Sequence, residues 1–171
     1  MTPDLILKIM PRCRTEFLLP LTQAMDEFAI GTTKQQAAFL SQVAHESGET
    51  RYTLELASGA AYEGRLDLGN DRPGDGVHYK GRGLLQITGK ANYAAMGHTL
   101  GLDLVANPEI LETPAGACRS AASFWHQRDL NELADADLFG AITKRINGGF
   151  NGIDSRIHYW LAARAALGVT L

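Results

Sequence analysis

The sequence predicts a mainly α-helical single domain over residues 1–171, with a small β element and a glycine-rich loop. The length of 171 residues and the hydrophobic content of 45% suit one compact core. Apolar residues recur at spacings of three and four along most of the chain, which is the helical period. Glycine and proline are concentrated in one internal segment, which indicates a long loop.

Helices are predicted throughout the N-terminal third. Thr2 followed by Pro3 is a good pair for an N-cap and first turn. A later helix has a capping box at Thr33 and Gln36, and Gly48 is expected to end it. These signals place the end of an apolar helix at residues 45–48, which contain the first candidate site residue, Glu46.

The segment from Gly59 to Gly89 is predicted to be a long ordered loop. The run from Gly69 to Gly76 has the composition of turns, and long loops inside compact proteins are commonly functional. A strand or hairpin is expected around Leu84 to Thr88, and a helix then begins near Ala91. Further helices are predicted at residues 114–128 and 138–146.

The last predicted helix has the clearest pattern. Asp154 is a good N-cap and Gly168 a good terminator. Adjoining faces of this helix carry Ile157, Trp160, Leu161, Arg164 and Leu167. We expect these faces to pack against the core.

Charge and composition exclude several kinds of function. The net charge is only −3 and the charges are scattered, so no basic surface for nucleic acid is predicted. No apolar stretch approaches the length of a membrane span, and we expect a soluble, cytoplasmic protein. Cys13 and Cys118 are expected to be free thiols. The histidines are scattered without an HExxH pattern, so neither a metal nor another cofactor is predicted.

Glu46 and Glu55 are the candidate pair of acid and base. Glu46 lies at a predicted helix C-terminus, where the helix dipole and apolar neighbours favour a protonated carboxyl group. One unbroken helix would separate the two residues by about 13 Å. A break at Ser47 and Gly48 lets the chain fold back, towards the roughly 6.5–9.5 Å that leaves room for a reacting water. Most of the 19 acidic residues should lie on the surface, so spacing alone is a weak signal.

Ordered motifs around this pair make the signal more specific. They are His-Glu-Ser-Gly at 45–48 with Glu55 nine positions after Glu46, Gly-Arg-Gly-Leu-Leu-Gln-Ile-Thr-Gly at 81–89, Asn-Tyr at 92–93, and Ile-Asn-Gly-Gly at 146–149. From about Glu27 to Leu167 the chain resembles glycoside hydrolase family 19, which contains chitinases and phage endolysins. The resemblance implies a lysozyme-like fold.

The resemblance also implies roles for individual residues. Glu46 matches the general acid and Glu55 the general base, and Thr88 matches the hydroxyl that holds the attacking water. Positions that contact the sugar are matched by Gln86, Asn92 and Asn147. Structural roles remain possible for Thr88 as a helix cap, for Gln86 as an outward strand residue and for Asn147 as a helix end.

Glu63 is the rival for the second carboxylate. It lies in the glycine-rich segment, where a salt bridge with Arg65 or Arg82 is the favoured role, and contact with substrate is the alternative. Tyr62 is expected either to form a hydrophobic wall against a sugar face or to pack in the core, and the same two roles are expected for Tyr79.

The resemblance favours an endolysin that cuts the β-1,4 glycosidic bonds of bacterial peptidoglycan. The chain is short, shows no export signal and resembles compact phage and prophage endolysins from Tyr62 to Gly76. Such an enzyme would be a monomer that waits in the host cytoplasm until a holin-type protein opens the membrane. A chitinase, a non-catalytic glycan-binding module and a metal-dependent amidase are the alternatives.

Overall fold

The structure is a computed structural model, and it describes residues 1–170. Helices dominate, and the mainly α-helical prediction is confirmed. The α-helices are α1 (Pro3–Ile9), α2 (Leu18–Glu27), α3 (Thr33–Ser47), α4 (Asp75–His78), α5 (Lys90–Leu100), α6 (Pro114–His126), α7 (Leu130–Asp135), α8 (Phe139–Asn147) and α9 (Ile153–Leu167). Short 3-10 turns lie at Thr15–Phe17, Ala60–Tyr62, Leu66–Leu68 and Pro108–Glu112.

The ends of α3 follow from its sequence. The capping box is formed by Thr32 and Gln35, one residue earlier than predicted for each partner. Thr32 accepts a hydrogen bond from the backbone of Gln35, whose side chain accepts one from the backbone of Thr32. At the other end Gly48 has φ +58°, a left-handed conformation that glycine adopts without strain. The predicted stop is therefore confirmed.

Two hydrophobic clusters support two parts of the molecule. The larger cluster joins α1, α2, α3, α6, α7, α8 and α9, and we call these helices the helical half. Within it, α3 and α9 pack more extensively than any other pair of elements. The smaller cluster lies beneath residues 51–112, which we call the loop half, and includes Tyr79, Tyr93 and Leu104. The candidate site draws residues from both halves.

The predicted strand around Leu84 to Thr88 does not form. Only isolated antiparallel bridges, Leu54 with Arg82 and Arg82 with Ile87, are found among residues 1–170. Leu85 and Ile87 are buried as expected, but Gln86 between them has φ +50°. A left-handed residue cannot continue an extended strand, so the chain makes a tight turn instead.

The last helix departs from its prediction at both its start and its buried face. It begins at Ile153 after Gly152, so Asp154 lies in the first turn and is not the N-cap. Ile157 and Leu161 are exposed, whereas Arg156 and Arg164 are buried. The face that packs against α3 therefore contains arginines, which the apolar pattern did not indicate.

No helix within residues 1–170 is both long enough and apolar enough to cross a bilayer. Cys13 and Cys118 are both buried and free, as expected.

Candidate active site

Glu46 lies on the last turn of α3 and faces α9. Its side chain is 21% exposed, and its Oε1 atom accepts a hydrogen bond from Nη2 of Arg156 at 2.5 Å. Its other oxygen, Oε2, accepts no hydrogen bond from residues 1–170. One oxygen is thus anchored, while the second remains able to carry a proton to a substrate.

Arg156 is buried and is itself held by a polar network. Its Nη1 atom donates to Oε1 of Gln42 at 2.5 Å, and its Nε atom donates to the carbonyl of Asn151 at 3.2 Å. Gln42 in turn donates to the hydroxyl of Thr143 at 2.9 Å. Because Gln42 and Glu46 are one helical turn apart, both reach the same guanidinium. The network therefore fixes the orientation of Glu46 from three helices.

This network was not predicted from the sequence. The guanidinium of Arg156 places a buried positive charge against the carboxyl group of Glu46. His45 precedes Glu46 in the sequence, and its pKa is affected by burial and also by the charge of Arg156. Burial first, and then the charge of Arg156, lower the pKa of His45, although Glu46 opposes the shift. Nδ1 of His45 lies 3.0 Å from the hydroxyl of Ser155.

Glu55 is anchored by the loop half. The backbone N–H of Gly81 donates to its Oε2 atom at 2.9 Å, and the hydroxyl of Tyr62 donates to Oε1 at 2.9 Å. The backbone N–H of Glu55 donates to the carbonyl of Gly81, which fixes the two segments together. Two donors from the loop half therefore hold the carboxylate of Glu55 in place.

Tyr62 therefore has a contact that neither of its predicted roles included. It is half-buried, and its hydroxyl binds the candidate base. Burial first, and then the hydrogen bond and charge of Glu55, raise the pKa of Tyr62. The phenol consequently remains a donor at neutral pH. Tyr79, by contrast, is buried, packs on Tyr93 and donates to the carbonyl of Val105, so it belongs to the core.

Gln86 connects Glu55 to the predicted sugar-binding residues. A Cβ atom placed on Gly81 would lie 2.6 Å from Oε1 of Gln86 and 3.1 Å from Oε2 of Glu55, so the two oxygens flank one point. Gln86, Thr88 and Asn92 together line a cavity of about 220 Å³. The structure thus brings these three residues to one cavity, and Gln86 also lies near Glu55, which does not itself line the cavity.

Thr88 and Asn92 are positioned by short-range hydrogen bonds. The hydroxyl of Thr88 donates to the carbonyl of Gln86 at 3.2 Å, which leaves its lone pairs able to accept from a water. Asn92 donates to the carbonyl of Thr88 at 2.7 Å. The N-cap of α5 is Gly89, so the alternative role of Thr88 as a helix cap is wrong.

The salt bridge predicted for Glu63 is wrong. Arg65 pairs with Asp67, and Arg82 pairs with Glu112. Glu63 instead accepts the backbone N–H groups of Gly74 and Gly76, with the Gly76 bond at 2.9 Å. These bonds close the glycine-rich turn before α4. The backbones of Gly76 and Glu63 lie so close together that a Cβ atom on Gly76 would clash. This approach puts the N–H group of Gly76 within reach of the Glu63 carboxylate.

Asn147 is the last residue of α8 and is half-buried. Its Oδ1 atom is buried and accepts no hydrogen bond from residues 1–170. A helix-end role satisfies the backbone but not this oxygen. The sugar contact of Asn147 stays a prediction.

Glu49 is a third carboxylate near the site that was not predicted. Its side chain is 3% exposed and accepts hydrogen bonds from the backbone and guanidinium of Arg12 and from the hydroxyl of Tyr159. Burial alone would raise the pKa of Glu49, but these hydrogen bonds outweigh burial and lower it. Its donors join the turn after α3 to α1 and α9, which is a structural role.

Comparisons with known proteins identify the family. The model of the Glyco_hydro_19 family, described as chitinase class I, matches residues 22–138. The chain belongs to glycoside hydrolase family 19. A Haemophilus influenzae protein described as a glycosyl hydrolase family 19 domain-containing protein is 32% identical over 187 aligned residues, with 91% of each chain covered.

Other family 19 proteins extend this comparison. Endochitinase At2g43610 of Arabidopsis thaliana is 38% identical over 144 residues, which cover 80% of this chain and 50% of that protein. The chain thus spans about half the length of this plant relative. Chitinase C from Streptomyces griseus superimposes with a TM-score of 0.84 at 25% identity, over 99% of this chain and 77% of that one. The predicted lysozyme-like fold is confirmed, and the protein is a chitinase-like glycoside hydrolase.

Proposed function

We propose that this family 19 hydrolase is an endolysin that cleaves β-1,4 glycosidic bonds of bacterial peptidoglycan with inversion. Oε2 of Glu46 donates its proton to the glycosidic oxygen as that bond breaks. Glu55 accepts a proton from a water, and the water oxygen bonds to the anomeric carbon from the opposite face. Thr88 orients this water. After the reaction Glu46 is ionised and Glu55 is protonated, and exchange with solvent restores both.

One observation carries this assignment. Glu55 and Gln86 flank the same point, and Gln86 shares its cavity with Thr88 and Asn92. A base is useful only where substrate and water can be positioned beside it. The proximity of Glu55 to Gln86 supports the proposal that the base and the predicted sugar contacts act in one site.

Two substrates fit this machinery, because chitin and peptidoglycan both contain N-acetylated β-1,4-linked sugars. The segment from Tyr62 to Gly76, with its resemblance to compact endolysins, favours peptidoglycan. Chitin is the second candidate, since relatives of this chain are named as chitinases. In the favoured case the protein acts as a monomer on the cell wall after a holin-type protein opens the membrane.

The test combines one substitution with product analysis. The amide in Glu46→Gln matches the shape of the acid and its oxygen can still accept from Arg156, but it cannot donate the proton. We therefore expect loss of wall lysis in a protein that still folds, with lower stability because Arg156 loses its charged partner. Mass spectrometry of digests of purified peptidoglycan, run beside chitin oligomers, identifies the bond. Muramic acid at the new reducing ends would support the proposal, and exclusive action on chitin would favour the second candidate.

Controls separate the remaining alternatives. Glu109→Gln alters an exposed carboxylate of the loop half and should lyse as well as the parent protein. Lysis retained by Glu46→Gln would overturn the assignment of the acid. Release of free amino groups, lost in EDTA, would indicate an amidase instead. Binding of glycan without any cleavage by the parent protein would indicate a binding module.

A further inference from the structure

Arg128 lies on the same cavity as the candidate sugar contacts. It follows α6 and lines the cavity together with Thr88 and Asn92. Its guanidinium carbon lies 3.5 Å from the centroid of the Phe124 ring. Such a contact restrains the planar guanidinium while its edge remains able to donate hydrogen bonds. A restrained cation therefore borders this cavity, which we call the groove and in which the glycan is proposed to bind.

The charge of Arg128 is not neutralised by the described protein. Within residues 1–170 it forms no ion pair, whereas Arg82, Arg65 and Arg119 each bind a carboxylate. Burial lowers the pKa of Arg128, but a guanidinium stays charged at any physiological pH.

A second arginine adds to this charge. Nη1 of Arg145 donates to the backbone carbonyl of Arg128 at 2.9 Å, which brings another cation to the same edge. No ion pair of Arg145 is found among the residues that the structure describes. The groove consequently has positive charge at one end, although the protein as a whole has a net charge of −3.

A neutral polymer of N-acetylglucosamine offers no charged partner for such a cation. A glycan with peptide substituents does, because its stems carry carboxylates that match the guanidinium fork. We propose that Arg128 binds a carboxylate of the peptide stem on the glycan strand, and so determines specificity for the charged polymer. This inference rests on the proposed function, since peptidoglycan is the glycan that carries such stems.

The test measures binding without turnover. Glu46→Gln protein is titrated by calorimetry with soluble glycan strands in three forms: with intact stems, with stem carboxylates converted to methylamides, and with the stems removed and the lactyl carboxylates that this exposes also converted to methylamides. Adding Arg128→Gln should weaken binding of intact strands by about tenfold, as for loss of one charged hydrogen bond. It should leave binding of the other two forms, and of chitin hexamer, unchanged. Arg128→Lys, which keeps the charge, should recover part of the affinity.

Arg119→Gln is the matched control, because it removes an arginine from α6 that faces Glu27 instead of the groove. Equal affinity of the Arg128→Gln and parent proteins for intact strands would overturn the inference, as would an equal loss on all three forms. These outcomes are separate from the proposed function. If binding depends on Arg128 but the parent protein does not cut peptidoglycan, the proposed hydrolysis of peptidoglycan would be refuted and the carboxylate site at Arg128 would be retained.

Discussion

The two halves of the molecule hold their carboxylates by different means. Glu46 of the helical half is oriented by a buried side chain, Arg156, which also binds Gln42 of α3, and Gln42 in turn binds Thr143 of α8. Glu55 in the loop half is oriented by a backbone N–H and by Tyr62. The first arrangement depends on helix packing and the second on the path of a loop. For the residues that support the two carboxylates, as distinct from the carboxylates themselves, we therefore expect substitutions to affect stability mainly in the helical half and activity mainly in the loop half.

The largest expected effect separates two carboxylates of the loop half. Glu55→Gln should lower kcat by about 10²–10⁴-fold, the usual contribution of a general base. Glu63→Gln should lower it far less, because Glu63 binds the backbone of the turn before α4. Initial rates on purified glycan strands measure both. A greater loss for Glu63→Gln would reverse the assignment of the base.

Arg156→Gln should have the largest effect on stability. It leaves Gln42 and Glu46 without their buried partner, and breaking such a network costs about 3–5 kcal/mol of the free energy of unfolding. Urea denaturation measures the loss. Tyr62→Phe in the loop half is the matched comparison and should cost about 1 kcal/mol. Equal losses in the two variants would break the distinction between the halves.

Gly81→Ala should affect activity with little loss of stability. Its Cβ atom would lie 2.6 Å from the terminal oxygen of Gln86 and 3.1 Å from that of Glu55, so both side chains must move. A shift of about 1 Å at a reacting group can cost about 10²-fold in rate. Activity and Tm are compared with those of Gly31→Ala, where a Cβ atom meets open space. Full activity of Gly81→Ala would show that Glu55 does not need this position.

Glu49 gives the smallest effect, and it depends on pH. Its pKa is lowered in the folded protein, so its contribution to stability is present above the unfolded pKa of about 4.3 and is lost as pH falls through the folded value. Glu49→Gln should therefore flatten the decline of stability below about pH 4.3. Urea midpoints at several pH values check this against Glu109→Gln. An unchanged pH dependence would contradict the role of Glu49.

Sequence patterns predicted the helical half well, apart from its arginines. The capping signal and Gly48 located α3 to within one residue, which placed Glu46 at the end of that helix. Arg156 was missed because a charged residue in a helix is normally on the surface. Its burial depends on Gln42 and Glu46, which lie more than a hundred positions away.

The loop half was predicted through motifs, because it has no periodicity to follow. The motif from Gly81 to Gly89, followed by Asn92, gave the group of Gln86, Thr88 and Asn92 that shares one cavity. The bond from Gly81 to Glu55 joins positions 26 residues apart, and no local rule predicts it. The predicted partners of Glu63 were wrong because its actual partners are backbone N–H groups. Almost every residue carries such a group, so the sequence does not indicate which one a side chain binds.

The configuration of the first product tests the central claim most directly. Proton NMR recorded within the first minutes of hydrolysis distinguishes the anomers before they interconvert. If Glu46 and Glu55 act from opposite faces on a β-1,4 bond, the new reducing end forms as the α-anomer. Initial formation of the β-anomer would contradict the account, because it requires attack on the face from which the leaving group departs.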